Sequence, residues 1–278
     1  MPDPPPAAGV SNTPAPAGEV RRLLSVIESH LRPAAAAPRH GYPLARPHLP
    51  VMIVCSPRPR VGRTLIARLL VEFFLADDRR AVAYDLNPND PVLSDWLPFH
   101  AVRATIGDTR GVMALFDRLI VNDGRPKVID LAADLFDAFF DVMLQIGLVD
   151  GARARGIDTV VLFVAEDHPR STAAYRRIVE RFDQLAVVPV HNKLSESFKA
   201  ADFLRPSLGA TAIHIDYLSP FLHGVVNRPR FSFVGFLAKP SARPTMLHDW
   251  IDQSFVAFRD LELRLLMSEF APLFRHAV

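Results

Sequence analysis

Val51-Met52-Ile53-Val54-Cys55-Ser56-Pro57-Arg58-Pro59-Arg60-Val61-Gly62-Arg63-Thr64 is the stretch whose reading decides the fold of this chain. It begins with a continuous apolar run of strand length. It leads into Leu65, Ile66, Leu69, Leu70, Phe73 and Phe74, which recur at helical spacing. The context is therefore strand, loop, helix, and the loop sits where a phosphate-binding loop of the G-x-x-x-x-G-K-[ST] type belongs. Glycines in such a loop let successive backbone N–H groups face phosphate oxygens, a lysine reaches the outer phosphates, and a Ser or Thr hydroxyl meets Mg²⁺. On that template Pro57 replaces the first glycine, Gly62 keeps the second, Arg63 replaces the lysine and Thr64 is retained.

The variant K-G-G-x-G-K-[ST] fits better. Arg58 falls on the early lysine, Pro59 and Arg60 on the glycine pair, Val61 on the free position, Gly62 on the last glycine, Arg63 on the second lysine and Thr64 on the hydroxyl. Downstream, the apolar run Ala81-Val82-Ala83-Tyr84 ends in Asp85-Leu86-Asn87-Pro88-Asn89, and Lys127-Val128-Ile129 ends in Asp130. With these segments in this order, the chain resembles the ParA/MinD family of P-loop ATPases over roughly residues 50 to 240. Asp85 matches the first acid of that family's D-x-D-P-Q segment, Asn87 stands in place of the second and Asn89 in place of the glutamine.

The remaining chain keeps the strand and helix rhythm. Thr159 to Val164 reads as a fully buried strand, a helix follows near Ser171 to Phe182, Leu185 to Val190 reads as another strand, and a sixth short one is expected over Ala212 to Ile215. Continuous apolar runs between helices predict an α/β fold with a doubly wound, mostly parallel sheet flanked by helices. The ParA/MinD resemblance implies a P-loop NTPase-like arrangement of that sheet. His191-Asn192-Lys193 resembles the V-x-N-K segment from which related proteins recognise a nucleotide base, which makes Asn192 a candidate base contact.

The resemblance further implies ATP and Mg²⁺ as cofactors, with Arg58, Arg60, Val61, Gly62, Arg63, Thr64 and Asn192 at the nucleotide. Thr64, Asp85 and Asp130 become the metal-shell candidates, and Asp85 and Asp130 the water-orienting ones. Family members dimerise with nucleotide between the subunits, and the early lysine reaches the partner's phosphates. Arg58 inherits that crossing role and a homodimer is expected.

Two readings of the loop stay open at this level. Guanidinium forks bind phosphate well, so Arg58, Arg60 and Arg63 can replace lost donors. Yet arginine is bulkier than lysine at a tight site, and Pro57 and Pro59 each remove a backbone N–H. The loop is then a relic, with its arginines solvated or paired to Asp85 and Asp130, and the protein a scaffold that binds partners without nucleotide. Asn87 in place of an acid argues for weak hydrolysis or none. A small-molecule kinase or ligase on the same fold is a more distant alternative.

Residues 1 to 48 are a different material. Eleven of the 25 prolines lie in the first 50 residues, together with the run Ala34 to Ala37, a composition that does not bury enough apolar surface to fold. Within it Val20, Leu23, Leu24, Ile27 and Leu31 mark a short amphipathic helix over about 19–31, which either docks on the domain's own surface or contacts a partner protein. The domain proper is expected over 49–278. Its last helix, about 244–271, carries Leu247, Trp250, Ile251, Phe255, Phe258, Leu261, Leu265 and Leu266 on one face. Acids dilute the polar face, so packing or a subunit interface is favoured there over membrane contact.

A formal net charge of +2 gives no general argument for DNA binding. One cysteine excludes a disulfide framework. The expected location is the cytoplasm. Among the histidines, His168, His191, His214 and His223 show no metal-ligand spacing.

Overall fold

The computed structural model describes residues 49–193, 212–239 and 245–275, with side chains through 267. The amphipathic segment at 19–31 and Pro244 lie outside the described residues. Seven strands form one sheet: β1 (Leu49–Cys55), β2 (Val82–Leu86), β3 (Ala101–Arg103), β4 (Lys127–Leu131), β5 (Ile157–Ala165), β6 (Ala186–Asn192) and β7 (Ile213–Ile215). Their order is β3-β2-β4-β1-β5-β6-β7 and every pairing is parallel. The expected α/β class, a doubly wound parallel sheet with helices on both faces, is what the chain adopts.

Alternation along each strand explains how an all-apolar run serves two faces. From β1, Met52 and Val54 pack into one cluster while Val51, Ile53 and Cys55 pack into the other. The first cluster is closed by α1 (Arg63–Ala76), α2 (Val92–Trp96), α7 (Pro220–Val226), α8 (Phe233–Leu237) and α9 (Met246–Arg275). The second is closed by α3 (Thr109–Leu119), α4 (Phe136–Gln145), α5 (Leu148–Arg153) and α6 (Pro169–Arg181). β3 was not expected; only Ala101 of its three residues is buried, so it leaves no apolar run to read.

Helix starts follow local chemistry. Asp108 caps α3, its carboxylate accepting from Gly111 N–H at 2.7 Å, and Ser219 and Ser232 cap α7 and α8. Asp108→Ala should cost about 1 kcal/mol, the usual worth of such a cap, read as a shift of the urea midpoint at unchanged slope. A change in slope would mean that the helix is not simply uncapped.

On α9, Leu247, Trp250, Ile251, Phe258 and Leu261 are buried and Phe255 and Leu265 half-buried, whereas Leu266 is 44% exposed and falls outside the packed face. The Trp250 indole N–H donates to the Asp216 carbonyl at 2.8 Å. Arg79 forks onto Glu262 with three contacts of 2.9 Å, tying α9 to the end of α1. The helix therefore packs on its own domain. It also continues past Pro272 to Arg275, beyond its expected end. Among the described residues no helix is long and apolar enough to cross a membrane.

Candidate functional site

The strand order places the site. The chain leaves β1 over one face of the sheet through α1, and leaves the adjacent β4 over the other through α4, so a crevice opens above their carboxyl ends. The 56–62 loop fills its edge. Alternation turns Asp85 and Asp130 towards the α1 side, the same side as Val54, to which Asp130 is in register.

The loop keeps the backbone its side chains argued against. Arg60, standing where the variant motif has a glycine, adopts the left-handed conformation with φ of 63°, and Gly62 has φ of 87°. A non-glycine residue there costs about 1 kcal/mol, which the surrounding structure sustains. α1 starts at Arg63 behind Gly62, and no side chain caps its first turn and no acid stands in it. Its N–H groups and dipole are thus directed at the loop.

Asn192 holds this shape. Its amide Nδ2 donates to the Val61 carbonyl at 2.9 Å, and the side chain is buried. The residue expected at a base instead braces the loop. Arg58 is engaged as well: its Nε lies 2.6 Å from Glu166 Oε2 at the end of β5, a close ion pair whose angle falls short of a hydrogen bond. Nothing in the sequence linked these two, which are separated by 108 positions. Arg60 is exposed at the tip of the loop.

Beneath the loop, two carboxyl groups meet in the interior. Asp85 and Asp130 are register partners on β2 and β4, with 1% and 0% exposure. Asn87 bridges them, its Nδ2 donating to Asp85 Oδ1 and to Asp130 Oδ2, each at 2.9 Å. Asp85 also accepts from the backbone N–H groups of Asn87 and Ser94. Both of its oxygens are thus engaged by the protein itself.

Asp130 differs. Its Oδ1 is buried without a well-aligned donor. Burial pushes its pKa up to about 6, the charge of Asp85 adds to this, and the Thr64 hydroxyl, the Arg63 guanidinium and the Asn87 amide pull part of the way back. A buried carboxylate oxygen with spare acceptor capacity beside a Thr hydroxyl fits a hard divalent cation. Asp85, fully occupied, does not fit as a direct ligand. Thr64 and Asp130 would therefore hold Mg²⁺, which when bound would supply charge neutralisation to phosphate oxygens.

Two clefts flank Arg63 and Asn87. One, of about 560 Å³, runs from Arg60, Gly62 and Thr64 to Trp96, His223 and Asn227. The other, of about 410 Å³, lies between Pro57, Asn89, Asp134 and Arg170. The first is within the usual size of a small-molecule site. Its far wall is set by a buried ion pair that sequence reading did not single out. Arg68 on α1, 0% exposed, donates to Glu72 Oε1 at 3.3 Å, to the Val226 carbonyl at 2.7 Å and to the Phe231 carbonyl. Its guanidinium carbon lies 4.8 Å from the ring centres of both Trp96 and Phe233. Glu72 in turn accepts from Ser232 Oγ at 2.6 Å and from Val234 N–H at 3.1 Å.

No protein-family model and no curated protein sequence matches the chain. Among solved structures it is similar to the signal recognition particle receptor FtsY from Elizabethkingia anophelis in complex with GDP, at 12% identity and a TM-score of 0.36 over 63% of this chain. The matched part spans 57% of that receptor chain.

Proposed function

We propose that this chain is a nucleotide-binding protein of the ParA/MinD type. Mg²⁺-ATP is taken at the loop between β1 and α1, and the protein serves as a dimerising switch in positioning, partition or assembly of a larger complex. The observation that carries the reading is the backbone of the loop: left-handed Arg60 and Gly62 above an uncapped α1, with Arg63 and Thr64 at its start and Asp130 below. Anions are favoured at such a helix start.

Hydrolysis is weak or nil on this reading. Of the two carboxylates expected to orient water, Asp85 is held by three donors and Asp130 is assigned to the cation. The neighbouring position is the amide Asn87, which is no base. Arg63 would face the outer phosphates, and Arg58 would reach a second subunit only on leaving Glu166.

A second reading, a scaffold that binds partners without nucleotide, is favoured by that same Arg58–Glu166 ion pair and by the Asn87 bridge, since both satisfy the site internally. Sedimentation velocity separates the two. The switch reading expects a dimer with Mg²⁺-ATP that is lost in Arg58→Ala. An identical distribution with and without nucleotide, for a folded protein, supports the scaffold.

A further inference from the structure

We propose that the base of the bound nucleotide lies in the 560 Å³ cleft against Trp96 and is read by Asn227 rather than by Asn192. This rests on the nucleotide reading of the loop and adds where the base goes.

Asn192 is 5% exposed, its Nδ2 donates to the Val61 carbonyl and its Oδ1 is buried without a donor, but it is not among the residues that line the cleft shared by Trp96 and Asn227. Turning it towards a ligand would break the brace and release the loop. A nucleotide with its phosphates at Gly62 and Arg63 meets a different wall, because Trp96, His223 and Asn227 line the same cleft.

That wall has the chemistry a base needs. An indole offers a stacking platform that accepts any base. Trp96 is fixed in place by the buried Arg68 guanidinium at 4.8 Å, which is itself held by the Val226 and Phe231 carbonyls. The amide of Asn227 lies against the imidazole of His223, one turn earlier on α7, with Nδ2 at 3.1 Å from Nδ1 and 3.3 Å from Nε2. With Nδ2 turned to the imidazole, the amide oxygen is left to accept from a base edge bearing an amine, as asparagine does with adenine. His223 and Asn227 come after β7 and Trp96 after β2, so the pocket is assembled only by folding.

The test compares Mg²⁺-ATP with Mg²⁺-tripolyphosphate on the full chain. The chain has two tryptophans, and Trp250 lies on the buried face of α9, so a Trp250→Phe variant leaves Trp96 as the sole reporter. ATP should change its emission and tripolyphosphate should not. Asn227→Ala should weaken ATP about tenfold and leave tripolyphosphate unchanged, whereas Asn192→Ala should weaken both by loosening the loop. The inference is overturned if Asn227→Ala binds ATP as the parent does, if ATP binds without a change in Trp96 emission, or if tripolyphosphate binds as tightly as ATP. Binding of neither ligand overturns the nucleotide reading itself, and the base site with it.

Discussion

Arg68→Ala should destabilise the domain by about 3–5 kcal/mol, the cost of breaking a buried ion pair from one side. The substitution strands Glu72, which is 1% exposed, without its cationic partner. It also leaves the Val226 and Phe231 carbonyls without their donor and removes the guanidinium from between Trp96 and Phe233. Glu72 would keep Ser232 and Val234 as donors, but these neutral groups do not offset a buried charge. A double replacement, Arg68→Met with Glu72→Leu, should recover much of the loss, since exchanging a buried pair for apolar groups of similar size is often neutral or better. Urea unfolding of the three proteins decides it. A loss below 1 kcal/mol for Arg68→Ala would mean that the pair is dispensable.

Asp130→Asn should do the opposite and stabilise the protein at neutral pH. The folded-state pKa of Asp130, about 6, is raised above the ordinary 3.8. The folded state therefore binds this proton more tightly than the unfolded chain, and stability falls as pH rises through the interval from about 4 to about 6. Two pKa units correspond to roughly 3 kcal/mol of cost at pH 7. An amide at 130 keeps the shape and removes the charge. Urea unfolding at pH 4.5 and 7.5 should show a gain of up to about 3 kcal/mol at the higher pH and a much smaller one at the lower. An equal effect at both pH values would contradict the assignment of the buried charge. The same variant should bind Mg²⁺ less well, so the carboxylate that costs stability is the one kept for the cation.

The strand ends were legible because apolar runs of four to six residues stop at polar ones. Asp85, Asp130 and Asn192 all lie at the carboxyl edge of the sheet, where the pattern put them. The partners of these residues were not legible. Asn87 read as a lost acid, whereas its amide bridges the two acids that remain, a role visible only once β2 and β4 are side by side. Asn192 read as a base contact because the motif carries no sign that Val61, 131 positions earlier, would lie against it.

Arg68 and Glu72 stand one turn apart on a helix, a spacing that by itself indicates an ordinary exposed pair and singles out neither. They are buried because the segment around 226–234 covers them, some 160 positions away. The loop itself misled in a different way. Pro57 and Pro59 remove part of the donor set of a standard phosphate loop, but the brace from Asn192 and the left-handed Gly62 hold its shape, and Arg60 adopts a glycine-like conformation within it.

Isothermal titration of the full chain with Mg²⁺-ATP, beside Arg63→Ala, tests the central claim most directly. The account predicts saturable binding at one site per chain and a loss of at least about tenfold in Arg63→Ala, as expected for one charge-assisted phosphate contact. No heat from the folded parent, or binding equal in the two proteins, would contradict it.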